Sequence, residues 1–290
     1  MITETCMLNG QPFHLYRWGD VSLPPLLMLH GFPEHGGAWA DLAPLLADRF
    51  HCVAPDQRGY GRSWAPEGVG HYRLSQLVSD MAALADHLGG TVRLLGHDWG
   101  ASVAYGLAMA HPSRVSRLAI VNGVHPAPFQ RELAKGGAQS EASQYINTLR
   151  RPGSEDYLSA DNYAKLFQLF SANMDLTWLT PARRADYLAA WSHDGGRLRS
   201  MIDWYRASPL KVAAPGQPLS DPPDLPLDRM KITCPHLLIW GLNDTALLPV
   251  STDGLETFAP DLTRAEIAQA DHWVIHQQPD RVAQLLRDWL

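Results

Sequence analysis

The stretch Gly96-His97-Asp98-Trp99-Gly100 joins two segments that want different backbone shapes. Ahead of it, Thr91-Val92-Arg93-Leu94-Leu95 is short, β-branched and aliphatic, as in a buried strand. Behind it, Ala101 to Ala110 is rich in alanine, with Val103, Ala104 and Leu107 keeping it apolar, as in a buried helix. Glycines at 96 and 100 allow a sharp strand-to-helix elbow that lifts one side chain above a sheet. That side chain is Asp98. A serine at such a turn attacks acyl carbon and needs a base to remove its proton. A carboxylate is already ionised at neutral pH, so it can displace a leaving group from alkyl carbon directly.

The chain has 290 residues, 46% hydrophobic and 19% charged, enough for one large domain or a core with an inserted subdomain. A net charge of −6 gives no basic footprint for nucleic acid. The first residues carry no basic region leading into an apolar run, and no stretch approaches ~18 uninterrupted apolar residues. Cys6, Cys52 and Cys234 are far apart and not in metal spacing, which suits reduced thiols. A cytoplasmic protein without cofactor, metal or membrane span is expected. Its partners would be a small molecule and water, with a homodimer left open. Ten tryptophans hint at an aromatic pocket, although core packing accounts for most of them equally well.

Strand-like and helix-like stretches alternate through the first part of the chain. Leu26–Leu29 reads as a strand, Trp39–Leu46 as helical, His51–Ala54 as a strand and Leu74–Leu88 as an amphipathic helix. Val92–Leu95 and Leu118–Val121 are the next strands. Such alternation predicts βαβ units on a parallel sheet covered on both faces. The pattern breaks from Gly123 to Arg229, where helical stretches (Glu141–Leu149, Ala160–Phe170, Pro181–Trp191, Gly196–Arg206) precede a proline-rich connector, Pro215–Pro226. Strand-like His236–Trp240 resumes the alternation, and a helix from Pro279 to Leu290 closes it. The expected organisation is a sheet core over residues 1–122 and 231–290, with a helical lid over 123–230.

Asp244 follows the strand His236–Trp240, and His272 lies in the loop before the last helix. The order Asp98, Asp244, His272 is that of nucleophile, acid and histidine on an open α/β sheet. Attack by Asp98 would leave an alkyl ester. His272 would activate water to hydrolyse it, and Asp244 would fix the imidazole tautomer. After the strand Leu26–Leu29, Gly31 permits close approach and the Phe32 N–H can face the nucleophile. The Trp99 N–H, at the start of the elbow helix, is the second candidate oxyanion donor.

His30-Gly31-Phe32-Pro33-Glu34, Asp56-Gln57-Arg58-Gly59-Tyr60-Gly61-Arg62-Ser63, Gly96-His97-Asp98-Trp99-Gly100 and Asp271-His272-Trp273 together resemble the α/β-hydrolase superfamily, and within it the epoxide hydrolase group. The resemblance runs the whole length and is weakest in the lid. It implies a mostly parallel sheet with an inserted helical lid, and a structural turn at 56–63 that gives Arg58 and Arg62 no catalytic role. It also implies two lid tyrosines that protonate the epoxide oxygen. Ile202-Asp203-Trp204-Tyr205-Arg206 matches the second, Tyr205. Tyr145 is the candidate for the first, with Tyr157 and Tyr163 as competitors.

Haloalkane and haloacetate dehalogenases share the aspartate elbow. Haloacetate enzymes carry arginines after the nucleophile, where this chain has Trp99 and Ser102, and several dehalogenases place their acid where it has Asn122. Haloalkane enzymes share the tryptophan after the nucleophile, so Trp99 alone does not discriminate. A non-catalytic ligand receptor on the same fold and an ester hydrolase are the further alternatives.

Overall fold

The computed structural model describes residues 1–171 and 173–290. Its centre is an eight-stranded sheet in the order β1-β2-β4-β3-β5-β6-β7-β8. The strands are β1 (Ile2–Leu8), β2 (Gln11–Trp18), β3 (Pro25–Leu29), β4 (His51–Pro55), β5 (Val92–His97), β6 (Val115–Val121), β7 (His236–Gly241) and β8 (Leu262–Ile267). From β4 to β8 every pairing is parallel, while β1–β2 and β2–β4 are antiparallel.

The central strands are apolar at consecutive positions because both sheet faces are covered. Leu94, Leu118, Ile120, Leu238 and Trp240 join one core, while Leu95, Ala119, Val121, Leu237 and Ile239 join the other. Helices α1 (Leu74–His87) and α2 (Trp99–Ala110) pack on the first face through Leu77, Met81, Val103 and Leu107. On the second face lies α10 (Pro279–Trp289), through Val282, Ala283 and Leu286, with the short α9 (Val274–Gln277) ahead of it.

Between β6 and β7 run α3 (Pro126–Ala134), α4 (Ala138–Ala142), α5 (Gln144–Leu149), α6 (Ser154–Ser171), α7 (Pro181–Ser192) and α8 (Leu198–Ala207). Some local expectations need correction. Trp39–Leu46 is two 3₁₀ turns, Gly36–Ala40 and Ala43–Leu45, because Pro44 lacks the N–H a continuous helix needs. Glu141–Leu149 is divided between α4 and α5 at Ser143, and Ala160–Phe170 belongs to a longer helix interrupted at Ala160–Tyr163. The β1–β2 hairpin and β8 are strands that the apolar pattern did not announce.

The chain leaves β3 toward β4 on one side and returns to β5 on the other. That reversal opens a crevice above the carboxyl ends of β3 and β5, where such sheets hold their ligands. Asp98 stands there.

Candidate active site

Asp98 links β5 to α2 with φ 50° and ψ −120°. For an L residue such a backbone costs about 1–3 kcal/mol and persists only where its surroundings enforce it. They do so through two glycines. A Cβ on Gly100 would lie 2.0 Å from the Leu29 carbonyl oxygen, and one on Gly31 would lie 2.5 Å from Asp98 Oδ1. Both positions must be bare for the elbow to seat against the end of β3.

The Phe32 N–H donates to Asp98 Oδ1 at 2.7 Å. Trp99 is the first residue of α2, where helix N–H groups have no carbonyl four residues back. Asp98 Oδ2 lies 3.6 Å from His272 Nε2, and the other ring nitrogen, Nδ1, donates to Asp244 Oδ2 at 2.8 Å. Asp244 is 3% exposed and fully engaged. Its Oδ1 accepts the Ala246 and Leu247 N–H groups, and its Oδ2 also accepts Asn122 Nδ2 at 2.8 Å.

These contacts set the charges. Burial works to raise the Asp244 carboxyl, but His272 and the surrounding donors hold it below the usual range. Burial works to lower His272, yet Asp244 and Asp98 on either side hold it well above an ordinary imidazole.

Tyr145 on α5 and Tyr205 on α8 face this group from the helical insertion. Together with Phe32, Asp98 and His272 they line a cavity of about 60 Å³ whose remaining wall is largely apolar. Tyr205 stands edge-on to Phe32 at 5.1 Å and to Trp99 at 5.0 Å between ring centroids, and 6.2 Å from Tyr145. Desolvation pushes both phenols above their ordinary range, reinforced for each by the Asp98 charge, so both stay protonated. The competitors are elsewhere. Tyr157 is 59% exposed, and the Tyr163 hydroxyl donates to the Trp191 carbonyl.

Beneath the site is a node the sequence reading passed over. Glu34, 1% exposed, accepts the Tyr187 hydroxyl and His276 Nε2 on one oxygen at 2.8 and 2.7 Å, and His97 Nδ1 on the other at 3.1 Å. His97 Nε2 in turn donates to the His272 carbonyl at 2.8 Å. Burial opposes the Glu34 charge, but the imidazoles keep its carboxyl well below the usual range. One buried carboxylate thus ties together the β3 loop, the elbow, the His272 loop and α7. Its presence in the quoted motif was the available signal. Asn122 was weighed only as a missing acid, whereas its amide spans Asp244 and the Gly241 backbone.

An aspartate elbow with an acid and a histidine on the loops after later strands defines an α/β-hydrolase. The sequence signature described as the alpha/beta hydrolase fold matches residues 24–279, and the chain belongs to that family. An AB hydrolase superfamily protein of Bacillus subtilis, YfhM, is 30% identical over 97% of this chain and 95% of its own length. A solved structure from the study "Novel epoxide hydrolases belonging to the alpha/beta hydrolases superfamily in metagenomes from hot environments" is 34% identical. It has a TM-score of 0.89 and covers 99% of this chain and 98% of that one. The Bacillus megaterium epoxide hydrolase, solved with an inhibitor, is 29% identical with a TM-score of 0.89, covering 98% and 99%. Among the described residues no helix is long and apolar enough to cross a membrane.

Proposed function

We propose that this chain is an epoxide hydrolase that opens an epoxide to a vicinal diol through a covalent ester on Asp98, with residues 123–230 as the lid. One arrangement carries the reading: Asp98, held by the Phe32 N–H and facing His272, lies across an apolar cavity from the Tyr145–Tyr205 pair. The free oxygen, Oδ2, attacks an epoxide carbon. The ring C–O bond breaks, and the departing oxygen takes a proton from the tyrosine pair.

Forming the ester removes one of the two carboxylate charges that hold His272 protonated. Its pKa then falls, its proton returns to the tyrosine pair by way of solvent, and the neutral imidazole can take a proton from water as the water attacks the Asp98 carbonyl carbon. Phe32 and Trp99 N–H groups receive the resulting oxyanion. The tetrahedral species collapses to the Asp98 carboxylic acid and the alkoxide, and the acid's proton passes to the alkoxide, releasing the diol and restoring the carboxylate beside protonated His272. Relatives named as epoxide hydrolases support this reading.

Diol formation from a panel of aryl, alkyl and alicyclic epoxides, with haloalkanes and haloacids as controls, tests it. Halide release without any diol would overturn it in favour of a dehalogenase.

Two further outcomes follow from the geometry. Tyr205→Phe should slow alkylation by about 10- to 10³-fold, as loss of one donor to a developing oxyanion does, and leave ester hydrolysis much less affected. Tyr145→Phe should behave similarly, and the double variant should be nearly inactive on epoxides in a stopped-flow assay. Unchanged epoxide turnover in Tyr205→Phe would sink the donor assignment.

Asp244→Asn should lower turnover by about 10⁴-fold, since it strips His272 of its charged partner and favours the wrong tautomer. Asn122→Ala removes only a partner of that acid and should cost much less, about 10-fold. The reverse ranking in steady-state assays would move the acid's role to the β6 loop.

A further inference from the structure

The cavity at Asp98 has a second arm. About 40 Å³ of space continues past Asp98, Tyr145 and Tyr205 in a different direction, between Trp99 and Ser102 of α2 and Arg150 and Ser208 of the insertion. The first arm ends on Leu166, Leu169, Phe170, Met174 and Trp273, all apolar. The second arm is also largely apolar, with Val124, Phe129, Ile146, Leu210 and Leu247 in its wall, and differs from the first in carrying a guanidinium, that of Arg150.

Arg150 gives the second arm its character. It caps α5, and its guanidinium donates to the backbone carbonyls of Tyr205 at 2.8 Å, Leu210 at 2.8 Å and Ser208 at 3.3 Å. Those contacts hold the group rigid and occupy three of the five N–H donors a guanidinium carries. None of these partners bears a charge, and Arg150 enters no ion pair with a described residue. Burial pushes its pKa down, with only the Tyr205 phenol opposing. Two of those carbonyls, of Tyr205 and Ser208, close the C-terminus of α8, where the helix dipole favours a cation, and the contacts leave two N–H donors of the guanidinium for a ligand in the arm. In the sequence, positions 99 and 102 lack the arginines that would hold a carboxylate, but Arg150 enters the same wall from the opposite side.

We infer that the second arm receives a carboxylate and that the preferred substrates are epoxy acids, with an apolar group on one oxirane carbon and the carboxylate on or next to the other. This rests on the proposed epoxide hydrolase reading. The fork of Arg150 suits a planar carboxylate, and the charge offsets repulsion between the substrate anion and Asp98. Attack falls on the carbon bearing the apolar group, away from the carboxylate.

The test compares trans-3-phenylglycidate with trans-1-phenylpropylene oxide, its neutral counterpart carrying methyl in place of carboxylate, on the wild type, Arg150→Gln and Arg150→Lys. The wild type should prefer the acid in kcat/KM. Arg150→Gln should cut the acid-to-neutral ratio by about 10-fold or more, chiefly through KM, as expected for losing a hydrogen bond to a charged group. Arg150→Lys should restore part of it. Cinnamate, which has no epoxide, should inhibit the wild type competitively and Arg150→Gln more weakly by a similar factor.

Equal losses on both substrates would make Arg150 a purely structural tie and overturn the inference. So would a wild type that hydrolyses the neutral epoxide and not the acid, which leaves the epoxide hydrolase reading standing. Hydrolysis of neither, with halide released from a haloalkane, would overturn both.

Discussion

Asp98→Ala should abolish epoxide turnover, with a loss of about 10⁴- to 10⁶-fold, the range seen when one member of a catalytic unit is removed. The size follows from position. Asp98 is fixed by an enforced backbone, its Oδ1 is taken by the Phe32 N–H, and its Oδ2 alone faces both the cavity and His272. Asp244 cannot take its place, being buried behind the imidazole with its oxygens occupied. A single turnover of the wild type in ¹⁸O-labelled water should place label in the Asp98 carboxylate, read by mass spectrometry of its peptide. In the proposed mechanism the hydrolytic water attacks the carbonyl carbon, so its oxygen would stay on the enzyme. Label appearing only in the diol, or more than about a tenth of the activity surviving in Asp98→Ala, would mean that water attacks the epoxide directly.

His272→Gln should fail at the other half of the reaction. Alkylation needs the Asp98 carboxylate and the phenol donors, whereas hydrolysis of the ester needs a base. The variant should therefore give a burst of about one equivalent and then stop, with loss of steady-state turnover comparable to that of Asp98→Ala. Intact-protein mass spectrometry after mixing with styrene oxide should show one adduct, located on the Asp98 peptide. A folded variant with no adduct would rule out two separable steps in which histidine serves only the second.

The alternation of strands and helices was readable because parallel strands covered on both faces are apolar at most consecutive positions, with Arg93 an exception in β5. Val92–Leu95, Leu118–Val121 and His236–Trp240 stand out for that reason, and the α/β-hydrolase fold expected from them is the one found. The outer strands obey a different rule. β1 is mostly exposed, with only Cys6 and Leu8 buried, and β8 buries Ile267 alone, so neither reads as an apolar run. A sharper signal for the first was present in Asn9-Gly10, both at positive φ, the dipeptide that closes two-residue hairpins.

At the site, the residues in the β3, elbow and His272 motifs were legible because each sits in a glycine-bounded turn that a sequence displays directly. Positions in the inserted helices are set by how separate helices pack, which local sequence does not encode. That is why Tyr145, Tyr157 and Tyr163 could not be ordered from sequence, although only the first lines the cavity with Asp98. Arg150 was invisible for the same reason, its surroundings being the carbonyls of Tyr205, Ser208 and Leu210, far along the chain.

The Glu34 node has a bearing on how such an enzyme can be altered. It anchors α7 through Tyr187, while the apolar arm is walled by Leu166, Leu169, Phe170 and Met174, of which Phe170 packs edge-on against Tyr187 at 5.4 Å between ring centroids. The insertion is thereby divided into a moored part and an adaptable part. Libraries confined to Leu166, Leu169 and Met174 can reshape which hydrophobic group is accepted without disturbing what aligns the histidine, whereas Phe170 bears on Tyr187. Diversity at Tyr187 or His276 would instead strain the assembly, because a replacement removes one of the three partners that satisfy the buried Glu34 charge.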